Sequence, residues 1–154
     1  FLSLRVLCEV LGGGNGLLFL EIREKQGLCY DISMTCDTMT GLAFVQTGVA
    51  GKDAKHTASE ICRILQNVAD NGIKNDDFQD AVEQIRRKIS DISDSQWKIM
   101  DYVAEQEIIG TNLDSQQMLR RLADVTAEDV VKAAQKLSLR TMYALTGEEE
   151  FSWD

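Results

Sequence analysis

Apolar positions early in the chain recur at helical spacing. Leu2, Leu4, Val6, Leu7, Val10 and Leu11 predict an opening helix that stops at Gly12-Gly13-Gly14-Asn15-Gly16, where glycine after glycine admits positive φ and ends the backbone ladder. A second helix is expected over about Leu17 to Gln26, with Gly27 placed as its C-terminal stop. From Leu28 to Cys36 the period changes to two: Leu28, Tyr30, Ile32, Met34 and Cys36 alternate with Cys29, Asp31, Ser33 and Thr35, which predicts a strand with one buried face. Past the polar turn Asp37-Thr38, the stretch Gly41 to Gly48 reads as its antiparallel partner.

The remaining pattern is mostly helical. Ala54, Ala58, Ile61, Cys62, Leu65, Val68 and Ala69 mark a helix over Lys52 to Ala69 that Gly72 closes. Asn75 is expected to cap a helix carrying Phe78, Val82, Ile85 and Ile89 on one face. Further helices are expected from Ser95 to Ile109, after the Ser93-Asp94-Ser95 cluster, and from Ser115 to Ala123. Thr126 with Asp129 forms a capping-box variant opening a helix to Leu137, and a last strand is expected over Thr141 to Thr146. Two hairpin strands, a run of helices and a returning strand describe an α+β domain: an antiparallel sheet with helices packed mainly on one face. Three strands are few for this length, so one or more are expected upstream of Phe1, making the fold truncated at its N-terminal strand.

Length and composition agree with that picture. The 154 residues suit one domain, residues 1–154, able to bury about two thirds of the surface its unfolded form exposes. The apolar fraction of 44% is ordinary, and no apolar run nears the roughly 18 residues of a membrane span, so a membrane role is not expected. There is no proline, so long helices can run uninterrupted. With 25 acidic against 16 basic residues, the charge of -9 repels phosphate backbones and makes nucleic acid a poor partner. Such acidity describes either a solvated surface or a preference for basic peptides. Cys8, Cys29, Cys36 and Cys62 form no CxxC pair and read as reduced, buried thiols, which with the lack of a signal peptide points to a cytoplasmic setting.

Counting excludes the common hydrolytic devices. His56 is the single histidine, so no His-based triad or two-His zinc site can form, and HxxEH is absent in either direction. Glu60 follows His56 by four residues on the same helical face, but two ligands do not make a zinc site, and a surface histidine is expected. The glycine cluster fails as a phosphate loop, because Leu17 stands where a dinucleotide fingerprint needs glycine and the cluster follows a helix rather than a strand. It reads as a hinge-like helix junction. Arg23 and Tyr30 remain, one near the end of a helix and one near the start of the next strand. A guanidinium fork can hold a substrate carbonyl and a phenol can donate to an oxygen gaining charge during amide attack. Equally, Arg23 could pair with Glu21 or Glu24, and Tyr30 could share the buried face of Leu28 and Ile32.

The wording Leu11–Gly14 (LGGG) followed by Leu18–Tyr30 (LFLEIREKQGLCY) resembles the second-half signature of pitrilysin/insulinase-type zinc peptidases, the family that includes mitochondrial processing peptidase. The order of hairpin, long helices and final strand is similar to the family domain over nearly the whole chain. The resemblance implies two homologous halves closing around an extended peptide, with zinc held by an HxxEH helix in the first half and none in the second. It implies that this chain is the non-zinc half of a metalloendopeptidase, a hydrolase inactive by itself, partnered by a zinc-bearing half in the same parent chain or another subunit. Arg23 and Tyr30 take the catalytic positions, binding substrate backbone and stabilising the oxyanion, while Gly13, Gly14 and Arg23 are the implied peptide-binding residues. Where many relatives carry a serine pair and a basic residue before Leu-Phe, this chain has Asn15-Gly16-Leu17. Inactive relatives in respiratory complexes imply the alternative, a structural subunit kept for assembly. Outside the family, an acidic helical adaptor is the remaining reading.

Overall fold

Helix α1, Leu2–Gly12, is apolar around most of its circumference, and a helix of that kind has to lie inside the protein. Val6, Leu7 and Leu11 lose all contact with solvent, and α1 packs against a strand on one side and two later helices on others. The computed structural model describes residues 1–146 together with 152 and 153. Each fully buried leucine of this kind contributes about 1.5–3 kcal/mol relative to an exposed one, so α1 is the axis about which the rest is assembled.

The expected helix over Leu17 to Gln26 is present but wound differently. Its middle, Phe19–Glu24, is a π-helical turn, with Lys25 N–H donating to the Leu20 carbonyl five residues back at 3.1 Å. Leu18 and Ile22, four apart, are both completely buried, and that pair satisfies an α pattern as well as the wider turn. Gly27 then takes φ +65 and ends the segment, its N–H bonding the Arg23 carbonyl at 2.9 Å.

Strand β1, Cys29–Asp37, pairs antiparallel with β2, Leu42–Val49. The turn between them is held by Asp37, whose carboxylate accepts from Met39 N–H and Thr40 O–H, both at 2.8 Å. The alternation expected for β1 holds for Ile32 and Met34, which are buried, but fails at its start. Cys29 pairs with Val49 and Asp31 with Gly48, leaving Tyr30 as a bulged residue without a partner. The extra residue turns Tyr30 out to solvent and Cys29 inward, the reverse of the face that strict alternation assigns them.

Helices α2 (Ala54–Asn71), α3 (Asn75–Ser90), α4 (Gln96–Ile109), α5 (Ser115–Ala123) and α6 (Ala127–Lys136) follow. Asn75 does not cap α3. It is the first helical residue, after Lys74, which has no acceptor to offer; Asp76 and Asp77 in the first turn instead complement the helix dipole. Thr126 and Asp129 form the expected capping box, and Asp114 with Gln117 forms another at α5. Phe78, Ala81, Ile85 and Ile89 of α3, Met118 and Leu122 of α5, and Val130 and Ala134 of α6 join one core with α1 and the inner face of β1. The fold is thus α+β, with a small antiparallel sheet backed by helices.

The strand expected over Thr141 to Thr146 does not form. Residues 141–146 lie outside any helix or strand, and Tyr143 and Leu145 are exposed. A strand exists only where a neighbour accepts its hydrogen bonds, and among the described residues β1 and β2 pair with each other alone. Expected as uniformly buried, the four free cysteines divide: Cys8 and Cys29 are buried, Cys36 and Cys62 half-buried. No helix among the described residues is long and apolar enough to cross a membrane.

Candidate functional site

Arg23 leaves the π turn on the side of the helix–strand junction where Tyr30 emerges. Its guanidinium carbon lies 5.8 Å from the centre of the Tyr30 ring and 4.6 Å from that of Phe19, within the range at which a cation is attracted to an aromatic face. Flanked by two rings, the guanidinium keeps its N–H donors along its edge. Of the two carboxylates within reach in sequence, Glu21 is engaged by Lys25 at 2.6 Å, while Glu24 approaches Arg23 only to 3.8 Å. Tyr30 does not share the buried face of Ile32. It is 86% exposed, because the bulge points it away from the core.

Three sets of bonds fix this junction. Below it, Leu28 N–H donates to the Ile22 carbonyl at 3.1 Å, closing the short path from helix to strand. Above the bulge, the Thr47 hydroxyl of β2 donates to the Asp31 carbonyl at 2.8 Å. A third attachment runs to α2, where Gln26 Nε2 donates to Glu60 at 2.9 Å and Arg63 grips the same carboxylate at 2.9 and 3.0 Å. Arg63 first, then Gln26, lowers the Glu60 carboxyl to about 2, so this anchor is ionised under ordinary conditions.

The glycine loop is arranged less openly than its composition suggests. Gly13 N–H bonds the Glu9 carbonyl at 2.9 Å and its own carbonyl accepts from Gly16 at 2.8 Å. A Cβ on Gly13 would meet the Glu9 carbonyl at 2.6 Å, whereas Gly14 has open space. The Gly16 carbonyl accepts from Leu20 N–H at 3.0 Å, which ties the loop to the segment bearing Arg23. No hydrogen bond among the described residues joins Gly13 or Gly14 to Arg23 or Tyr30 directly.

His56 is exposed and Glu60 is held by Arg63 and Gln26, so the two do not converge. Among the described residues no group of three or more His, Cys, Asp and Glu is placed to hold a metal ion, and the residues present do not fit a zinc site. The two best-formed clefts, of about 360 and 380 Å³, both include Phe1 and contain neither Arg23 nor Tyr30. Tyr30 stands on open surface, and Arg23 beside it is half-buried.

Sequence reasoning did not single out Phe19 and Gln26. Phe19 had a usable signal, since it precedes Arg23 by four residues and faces it across one helical turn. Gln26 had none, because its partner Glu60 is 34 residues away.

Comparison with known proteins gives the family and the fold. Residues 1–85 match the family described as the peptidase M16 inactive domain. A probable inactive metalloprotease of Bacillus subtilis is 26% identical over 148 residues, covering 96% of this chain and 35% of that protein. An uncharacterised zinc protease of Streptomyces coelicolor is 32% identical over 133 residues, covering 83% of this chain and 29% of that protein. The chain thus spans about a third of the length of the curated relatives it matches. Among solved structures, a conserved protein from Enterococcus faecalis superposes with a TM-score of 0.79 at 23% identity, over 88% of this chain and 32% of that one. A peptidase M16 inactive domain from Pseudomonas fluorescens superposes with a TM-score of 0.71 at 20% identity, over 88% of this chain and 33% of that one.

Proposed function

The chain belongs to the peptidase M16 inactive-domain family, and from that premise we propose that it is the non-zinc half of a metallopeptidase, lending Arg23 and Tyr30 to a peptide held against a zinc-bearing HxxEH half. The observation that supports this reading is the exposed Tyr30 beside Arg23, turned out to solvent by a bulge. A phenol on a paired strand and a guanidinium close to two rings are placed in advance, and donors already in place need no reorganisation when charge develops. Arg23 pairs with a backbone carbonyl of the extended peptide, with Gly13 and Gly14 beside the chain. Tyr30 O–H donates to the scissile carbonyl oxygen as it becomes an oxyanion. Zinc, when the other half carries it, supplies the activated water.

In an assembly of this chain with a zinc-bearing half, Tyr30→Phe is expected to lower peptide turnover on the order of a hundredfold, while bound zinc measured by atomic absorption stays constant. Unchanged turnover sinks the catalytic role. A second reading, a subunit retained for assembly only, is favoured by the Bacillus relative described as a probable inactive metalloprotease. On that reading the assembly forms, hydrolyses nothing, and is indifferent to Tyr30.

A further inference from the structure

Two thiols with no part in the site above meet where α1 crosses β1. At the crossing the backbones touch, since a Cβ on Gly12 would stand 2.1 Å from the Met34 nitrogen. Cys8 lies one turn back from Gly12 on α1, and Cys36 lies two residues on from Met34 along the same face of β1. Four helical residues advance about 6 Å and two strand residues about 6.6 Å, so the two positions lie at similar distances from the crossing. Cys36 packs against the core that holds Cys8, and the two side chains come within hydrogen-bond reach of each other. The Cys8 thiol, 5% exposed, hydrogen-bonds the sulfur of Cys36, which is half-buried.

We propose that Cys8 and Cys36 are a redox couple: a hydroperoxide oxidises the Cys36 thiolate, and Cys8 resolves it into a Cys8–Cys36 disulfide. In the first step the Cys36 sulfur attacks the peroxide, an S–O bond forms as the O–O bond breaks, and the leaving hydroxide takes a proton and departs as water. The sulfur gives up an electron pair and the peroxide gains it. In the second step the Cys8 sulfur attacks the sulfenic sulfur, the S–S bond forms as the S–O bond breaks, and the hydroxyl leaves as water with the Cys8 proton. Division of labour follows from the surroundings. The Cys8 hydrogen bond and then Arg5 bring Cys36 down to about 7, against burial and the carboxylates of Glu105 and Asp37. The same hydrogen bond, with burial, pushes Cys8 up and keeps it protonated as the resolving thiol.

The test treats the whole chain with hydrogen peroxide, caps the remaining thiols with a maleimide after denaturation, and maps cross-links by mass spectrometry. A Cys8–Cys36 disulfide, lost again on adding dithiothreitol, is expected, with Cys29 and Cys62 outside it. Cys36→Ser abolishes the cross-link, Cys62→Ser leaves it, and Cys8→Ala leaves a sulfenic acid at Cys36 that dimedone captures. The proposal is overturned if Cys8 and Cys36 both remain free to be capped, if Cys36 proceeds to the sulfinic acid with Cys8 capped, or if either pairs with Cys29 or Cys62. The map of the unsubstituted chain decides the matter even where circular dichroism shows a variant unfolded.

Discussion

The Phe19 ring lies 4.6 Å from the Arg23 guanidinium, nearer than the Tyr30 ring at 5.8 Å, so the arginine is held first from within its own helical segment and only then by the strand. Phe19 thereby orients the guanidinium from within the same segment.

Phe19→Leu keeps the apolar volume but removes the π face. A double-mutant cycle of Phe19→Leu with Arg23→Met, followed by urea denaturation, is expected to return a coupling of about 0.5–1 kcal/mol. Additive effects of the two changes would mean that the ring does not hold the guanidinium.

At the α1–β1 crossing, Gly12→Ala places a methyl 2.1 Å from the Met34 nitrogen and 2.6 Å from its Cα, and backbone cannot swing aside as a side-chain tip can. A loss of about 3 kcal/mol is expected from such overpacking. Gly14→Ala meets nothing within 4 Å, and its effect should stay within about 0.5 kcal/mol. Thermal or urea unfolding of the two variants side by side checks the contrast.

Acid should weaken the attachment of Gln26 to α2. The Glu60 carboxyl sits at about 2 in the folded chain against 4.5 for the ordinary group, so the folded form binds its proton less readily. The stabilisation is complete above about 4.5 and is lost as pH falls toward 2. Denaturation midpoints of Glu60→Gln, measured between neutral pH and pH of about 2, should therefore fall less steeply than those of the parent chain. Parallel slopes would show that Glu60 carries none of the pH dependence.

What the sequence by itself determined is local. The period of Val6, Leu7, Val10 and Leu11, the capping box of Thr126 and Asp129, and the helix stops at Gly27 and Gly72 each rest on residues within a few positions of one another. Such short-range geometry is carried by propensity and turn chemistry alone. Arg23 and Tyr30 were singled out by the resemblance of Leu18–Tyr30 to a family signature, their spacing alone leaving other partners open, and Phe19 could have been found by its own spacing to Arg23.

Tertiary structure decided the rest. Tyr30 points outward because β2 pairs with Cys29 and Asp31 and passes over the residue between, and no pattern within β1 can announce a skip made by its partner. Thr141 to Thr146 has the composition of a strand, but among the described residues the sheet holds β1 and β2 alone. Cys8 meets Cys36, and Gln26 meets Glu60, only because glycine lets α1 touch β1 and because α2 folds back onto the π turn. Side-chain direction and long-range contact depend on which surfaces the chain brings together, and that is a property of packing rather than of neighbouring residues.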